Sequence, residues 1–295
     1  MIRPKYWITM IGWKTNGWVH SSGVLRLPLV GTVWFAGKRL AGRWLASGQG
    51  VLIDVGGKPT RVHPFTIVYS IGEWEPYTEE LFQNAIKPGY TVLDIGAHHG
   101  YFSILAARQA KTEGKVYAIE PAPENFQILK KNIELNQLTN VIPVNKAATD
   151  TNVNASFFIA KPNDVQGSLF PTLRTDEYSV PVECITIDEL LDGKSVDVVK
   201  MDIEGAEPFA LKGMKKTLAN SPNIVLFLEF HGPWLKRAGV EPQEFLDQLN
   251  ESGFECQLIN DGRKLLQPLK LELTPEEGFP HGFCNIYCVK RTQPA

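Results

Sequence analysis

Between residues 76 and 260 the apolar positions follow two alternating rhythms. Short unbroken apolar runs suit parallel strands covered on both faces, and they alternate with segments whose apolar residues recur at helical spacing. Thr91 to Ile95 is such a run, and Phe102, Leu105, Ala106 and Gln109 behind it predict a helix over 101–111. Lys115 to Ile119 reads as the next strand. A helix over 123–136 follows, with Pro123 at an early position and Phe126, Leu129 and Ile133 on one face. Strand 141–144 leads into a polar loop that starts at Asn145. Residues 153–185 break the rhythm: Ser156 to Ile159 and Tyr178 to Ile185 look like strands, with a loop through Asp164 to Ser168 between them. The alternation resumes with helix 187–192, strand 196–201, helix 206–219, strand 223–230, helix 241–252 and strands 254–259 and 283–289. Upstream, Gly50 to Val68 turns like a hairpin, and Pro76 to Ala85 reads as a helix ending in the turn Lys87-Pro88-Gly89. The fold class expected is α/β: a doubly wound, Rossmann-like, mostly parallel sheet with right-handed crossovers. The last strand follows a non-helical segment, so it is free to enter antiparallel.

The chemistry concentrates where the first strand of that sheet turns into its helix, Val92 to Ser103. Gly96 lets the backbone turn and approach a ligand, and Gly100 removes a side chain where helix and strand meet. The helix N-terminus that follows carries amides and partial positive charge suited to an anion. Glu120 ends the second strand, where an acid is placed to hold ribose hydroxyls. A dinucleotide fingerprint, G-x-G-x-x-G, needs glycines at 98 and 101, and the chain has His98 and Tyr101. What it carries is D-x-G-x-x-x-G, with Asp94 ahead of Gly96. An acid there suits a cationic amine, so an amino acid fused to a nucleoside without pyrophosphate fits best. S-adenosylmethionine is such a molecule.

The chain resembles FkbM-type methyltransferases, a branch of the class I S-adenosylmethionine-dependent enzymes, across residues 64–290. The resemblance is carried by Tyr69 to Tyr77 (YSIGEWEPY), Val92 to Ser103, Ala118 to Phe126 (AIEPAPENF), Ile185 to Leu191 (ITIDELL), Val199 to Glu207 (VKMDIEGAE) and Leu228 to His231 (LEFH), in this order. His98 stands where a glycine is often found. The resemblance implies the seven-stranded class I sheet and S-adenosylmethionine as cofactor. It also implies O-methylation of a hydroxyl on a sugar, glycolipid or secondary metabolite. It further implies that Gln166 and Ser168 close over the cofactor.

In such a sheet ligands lie beyond the carboxyl ends of the strands. The polar residues at those tips are Asp94 and Gly96, then Glu120, then Asn145 to Ala147, then Asp202 and Glu204, then Glu229 and His231. Glu120 is expected to accept both ribose hydroxyls, with Pro121 beside it. Asp94 and the turn Gly96, Ala97, His98 and Gly100 are expected at the methionyl end, and the loop holding Lys146 and Ala147 against adenine. Asp202 faces the methionyl amine or the acceptor. For proton removal His231 is the first choice and His99 the second, with Asp202 and Glu229 completing the catalytic set. Asp202 and Glu229 are also able to hold a divalent metal through oxygen ligands, but no metal is included in the expected set. Asp188 is expected to cap or start a short helix and Glu207 to be structural. His20, His63 and His281 receive no role.

Composition narrows the alternatives. A net charge of −2 argues against general nucleic-acid binding. No apolar run reaches the length of a membrane span and no signal peptide is visible. Cys184, Cys256, Cys284 and Cys288 show no zinc spacing, so reduced core thiols and a cytoplasmic location are expected. Residues 1–53 hold seven Lys or Arg, no Asp or Glu, and five of the seven tryptophans. The expected division is a small, basic, β-rich N-terminal extension over 1–75 and a methyltransferase domain over 76–295. The extension either packs on that domain or touches a membrane surface or lipid-linked glycan. The acceptor is a small molecule or glycan. Competing readings are an N-methyltransferase on a peptide or amine, a nicotinamide-dependent oxidoreductase, and a non-catalytic cofactor-binding module.

Overall fold

Gly56 and Gly57 both hold positive φ, 63° and 74°. Two such residues in succession let Val51–Val55 (β1) fold back antiparallel on Lys58–Val62 (β2), because that tight hairpin turn matches strand twist. The computed structural model describes residues 50–66, 75–160, 167–171, 177–269 and 283–291. The expectations for the Trp-rich head, for Tyr69 to Trp74, for Gln166 and for His20 and His281 lie outside them. The hairpin segment clusters with residues 134–137 as one unit, and the remaining described chain forms a second.

The second unit begins with Pro76–Ala85 (α1), Thr91–Ile95 (β3), Tyr101–Ala110 (α2), Lys115–Ile119 (β4), Pro123–Leu135 (α3, whose last two residues fall in the first unit) and Val141–Val144 (β5). Ala147–Ala148 (β6), Ala155–Ala160 (β7), Gly167–Ser168 (β8), Glu177–Val182 (β9) and Cys184–Ile185 (β10) follow. Next come Ile187–Leu190 (α4), Val198–Met201 (β11), Glu207–Lys212 (α5), Lys215–Ala219 (α6) and Val225–His231 (β12). Gly232–Arg237 (α7), Pro242–Glu251 (α8), Phe254–Asn260 (β13), Leu265–Pro268 (β14) and Phe283–Lys290 (β15) complete it.

One sheet has the order β14-β13-β15-β12-β11-β3-β4-β5. The five strands from β12 to β5 are parallel, and beyond β12 each successive pairing, to β15, β13 and β14, is antiparallel. Consecutive residues of β3 and β11 are buried, so both faces of the sheet centre are covered, as the unbroken apolar runs require. This is the doubly wound, Rossmann-like α/β fold expected. The chain leaves β3 toward β4 and β5 and returns on the other side at β11. That reversal places a crevice beyond the carboxyl ends of β3 and β11.

Several expectations need correction. The sheet has eight strands, not seven: β14 hairpins onto β13 at the edge, where Pro268 costs no ladder bond on an inner strand. Gly167 and Ser168 are not loop but β8, paired with β7 in a small sheet with β9. The helix expected over 206–219 is two, parted at Gly213, where an added Cβ would lie 2.1 Å from the Thr149 carbonyl oxygen. Asp188 starts α4, one of the two roles expected of it, while Thr186 caps that helix; its carboxylate also accepts from the Lys216 and Thr217 amides at the start of α6. Cys256 and Cys288 are not reduced thiols: they face one another across β13 and β15 and are joined as a disulfide. Only Cys184 and Cys284 are free, both buried. Thiol state therefore lends no support to a cytoplasmic location. Among the described residues no helix is long and apolar enough to cross a membrane.

Candidate active site

The turn after β3 is built by backbone fit. Gly96 holds φ 85°, and an added Cβ there would sit 1.9 Å from the Asp202 carbonyl oxygen. The Gly96 and Ala97 amides both donate to the Ile119 carbonyl at 2.9 Å, tying the ends of β3 and β4 together. Gly100, φ 86°, starts α2 without a side-chain cap and leaves room for Leu129. Asp94 is buried on β3 and accepts from the Ser103 hydroxyl, while burial pushes its carboxyl up to about 6.

Glu120 is buried where β4 ends. Its two oxygens accept from the His98 and Ala122 amides, each at 2.8 Å. Burial nevertheless pushes its carboxyl up to about 7. Asn145 donates to the Glu120 and Pro121 carbonyls and so fixes the third strand tip against the second. The His98 and His99 rings stack 3.9 Å apart, and burial lowers His98 to about 4, so it is neutral near pH 7. Gly96, Pro121 and Ala147 line one crevice with Ile203 and Ala206, and Phe157 and Leu169 reach it from the inserted sheet. Lys146, beside Ala147, pairs with Glu183 at 3.0 Å.

Beyond Gly96 the chemistry changes from apolar to charged. Lys200 is fully buried on β11, between apolar neighbours. Its ammonium lies 3.2 Å from Asp202 and 5.2 Å from the centre of the Phe102 ring. Burial alone would lower its pKa, but Asp202, Glu75 and Glu229 together hold it above the ordinary lysine value. Glu75 starts α1, and its carboxyl is raised by burial while Asn285 hydrogen-bonds to it. Its position is set from far away. Asp261, in the turn between β13 and β14, accepts from the Tyr77 and Thr78 amides and from the Thr78 hydroxyl, at 2.8, 2.9 and 2.9 Å. That carboxylate supplies the N-terminal cap that α1 lacks. Glu75 and Lys200 belong to the site, and the sequence reading missed both. The signal within reach was a lysine inside a central apolar strand, a place where a charge survives only when paired.

One oxygen each from Asp202, Glu204 and Glu229 lie within 4.8 Å of one another. Glu204 reaches that position with φ 54°, and Glu207 laces the loop by accepting from the Ile203 and Gly205 amides, each at 2.9 Å. Glu207 is structural in this sense. Ser168 donates to the Glu204 carbonyl at 2.8 Å. Burial first, then Asp202, Glu204 and Glu207, raise the Glu229 carboxyl well above its usual range. His231 ends β12, but its ring serves the fold. Its Nδ1 accepts from the Trp234 amide at 3.4 Å, capping α7, and the ring stacks on Phe283. Burial lowers its pKa. His99 is buried beside the turn, with its carbonyl accepting from Asn132.

The sequence profile of the methyltransferase FkbM domain matches residues 94–256. Hexuronic acid methyltransferase AglP of Haloferax volcanii is 30% identical over 173 residues, a match covering 58% of this chain and 65% of that protein. The chain thus spans just under two thirds of that relative. Methyltransferase sdnD of Sordaria araneosa is 25% identical, with 48% of this chain and 66% of that protein covered. Among solved structures, an S-adenosylmethionine-dependent O-methyltransferase from Thermotoga maritima aligns at 14% identity with a TM-score of 0.44, covering 86% of this chain and 82% of that one.

Proposed function

Since the chain belongs to the methyltransferase FkbM family, we propose that it transfers a methyl group from S-adenosylmethionine to an oxygen of a sugar or related acceptor. The observation that carries this is the turn at Gly96, pressed against Asp202 and flanked by Asp94 and Glu120. A side chain at position 96 would collide with the Asp202 carbonyl, so the glycine keeps the two strand tips together, and the Asp94 and Glu120 carboxyls beside it suit the ammonium and the ribose of an aminoacyl nucleoside. When bound, the cofactor supplies a methyl carbon on a cationic sulfur, and S-adenosylhomocysteine leaves as the acceptor oxygen takes that carbon.

The residues have separable roles in this reading. Glu120 keeps acceptor capacity beyond that given to the His98 and Ala122 amides and the Asn125 side chain, enough for a ribose hydroxyl. Pro121, Ala147 and Phe157 supply apolar walls for a base. Asp94 and Asp202 present carboxylates to an ammonium, and Lys200 holds Asp202 in one orientation. An acceptor hydroxyl has to lose its proton. His231 is a poor recipient, because with Nδ1 accepting from Trp234 its neutral ring carries the proton on Nε2. Glu75 is the better one, since burial raises its affinity for a proton while Asn285 steadies it. The likeness to a hexuronic acid methyltransferase favours an acceptor of the sugar-acid class.

Calorimetric titration with S-adenosylmethionine, S-adenosylhomocysteine and NAD⁺, with Glu120→Ala as control, tests the cofactor. Binding of the first two and its loss in the variant is the expected result; binding of NAD⁺ alone would return the reading to an oxidoreductase. Transfer of labelled methyl to uronic-acid glycans, with neutral sugars and amines in parallel, tests the acceptor. Labelling of amines alone would reassign the enzyme to N-methylation.

A further inference from the structure

Asp202, Glu204 and Glu229 converge from the segments that follow β11 and end β12. Glu229 Oε2 is buried and has no hydrogen-bond partner. A second observation comes from the neighbouring strand. Asn285 stands opposite Glu229 in the β12–β15 register, is 4% exposed, and its Oδ1 is also buried without a partner. Paired positions project to the same face of a sheet, so the two orphaned oxygens share one side. Lys200 donates to Asp202, and among the described residues no bond from it reaches either orphan. An exposed acidic patch is solvated by water; these two oxygens have given up water and received nothing in return.

Two orphaned acceptors call for a donor or a cation, and three carboxylates converging at the same place favour a cation with oxygen ligands. The atoms that converge are carboxylate oxygens, and Asn285 offers an amide oxygen from the strand position opposite Glu229. That donor set suits a hard divalent cation of the magnesium or calcium kind and not a thiolate- or imidazole-bound metal. We infer that Asp202, Glu204 and Glu229, with Asn285 Oδ1 at their side, form a divalent-cation site. Any part the ion takes in catalysis, as a Lewis acid on the acceptor oxygen, rests on the methyl-transfer reading; its binding does not.

The test uses the full chain, stripped with chelator and dialysed. MgCl2, CaCl2 and MnCl2 are titrated calorimetrically, and S-adenosylhomocysteine is titrated separately with chelator present. Saturable binding of one ion per chain is expected, weakened at least about tenfold by Glu229→Gln and by Glu204→Gln. Glu204 is only half-buried, so its variant keeps the test usable where Glu229→Gln does not fold. No saturable binding, or binding that neither variant weakens, overturns the inference and leaves Lys200 as the cluster's cation. Ion binding without S-adenosylhomocysteine binding would instead sink the methyl-transfer reading and leave the cation site standing.

Discussion

The Asp202 carbonyl oxygen occupies the place beside Gly96 where a side chain would begin, 1.9 Å from the position of an added Cβ. One strand tip is therefore shaped by the backbone of the next, and no rotamer change relieves a substitution. Gly96→Ala is expected to abolish S-adenosylhomocysteine binding and to lower stability by more than the roughly 1–2 kcal/mol that a left-handed backbone costs a residue with a Cβ. Gly89→Ala isolates that smaller cost, because Gly89 has φ 86° with nothing within 4 Å. Denaturant melts and calorimetry on both variants check this; equal losses would mean the contact with Asp202 is not a constraint.

Asp261 acts on the site through a helix. Asp261→Ala removes three hydrogen bonds at the start of α1, and a lost cap costs about 0.5–2 kcal/mol. The variant is expected to stay folded yet lose turnover, with kcat falling and cofactor affinity unchanged, because Glu75 is displaced while the Gly96 turn is not. Steady-state kinetics beside a cofactor titration separate the two; a fall in cofactor affinity alone would contradict the placement of Glu75 on the acceptor side.

Glu120 sets a pH dependence of definite sign. Its carboxyl is raised from 4.5 to about 7 in the folded chain, so the folded state holds a proton that the unfolded state releases. This contribution to stability is fully present below pH 4.5 and is lost as pH rises through about 7. Ribose hydroxyls donate to the charged form, so S-adenosylhomocysteine should bind more tightly at about pH 8 than at about pH 6, changing by up to about tenfold per unit below the apoprotein value. Calorimetry at several pH values, with Glu120→Gln as the flat control, measures it. An equally steep profile in the variant would assign the titration elsewhere.

Lys200→Met keeps the volume of the side chain and removes its charge. Breaking a fully buried ion pair costs about 3–5 kcal/mol. The Asp202 side chain retains 38% of its exposure, so the lower end, about 3 kcal/mol, is expected. Adding Asp202→Asn should recover part of the loss, and a double-mutant cycle by chemical denaturation gives the coupling. Additive losses would mean the two groups do not interact across their 3.2 Å separation.

The parallel half of the sheet was legible because strands covered on both faces must be continuously apolar. β3, β4, β11 and β12 carry that signal, and with them came Asp94, Gly96, Glu120, Asp202 and Glu229 at their tips. What stayed hidden depends on partners distant in sequence. Glu75 takes its place through Asp261, 184 positions beyond the Tyr77 amide it holds. The disulfide follows from the β13–β15 register, and the break at Gly213 from the close approach of Thr149. His231 was found at a strand tip as its position suggested, but sequence does not reveal that one ring nitrogen serves a helix. The pairing of Lys146 with Glu183, between β9 and β10, likewise follows from the fold and not from the local sequence.

Ser168 belongs to the small sheet whose Phe157 lines the crevice, yet its hydroxyl donates to the Glu204 carbonyl in the acidic loop. If a ligand that orders one of these regions shifts that bond, it biases the other. Such coupling is reciprocal by thermodynamic necessity: whatever factor an occupant of the crevice adds to affinity at the carboxylates, an occupant of the carboxylates returns to the crevice. Ser168→Ala cuts that bond and is expected to bring any such mutual factor toward one, which cation titrations with and without S-adenosylhomocysteine measure.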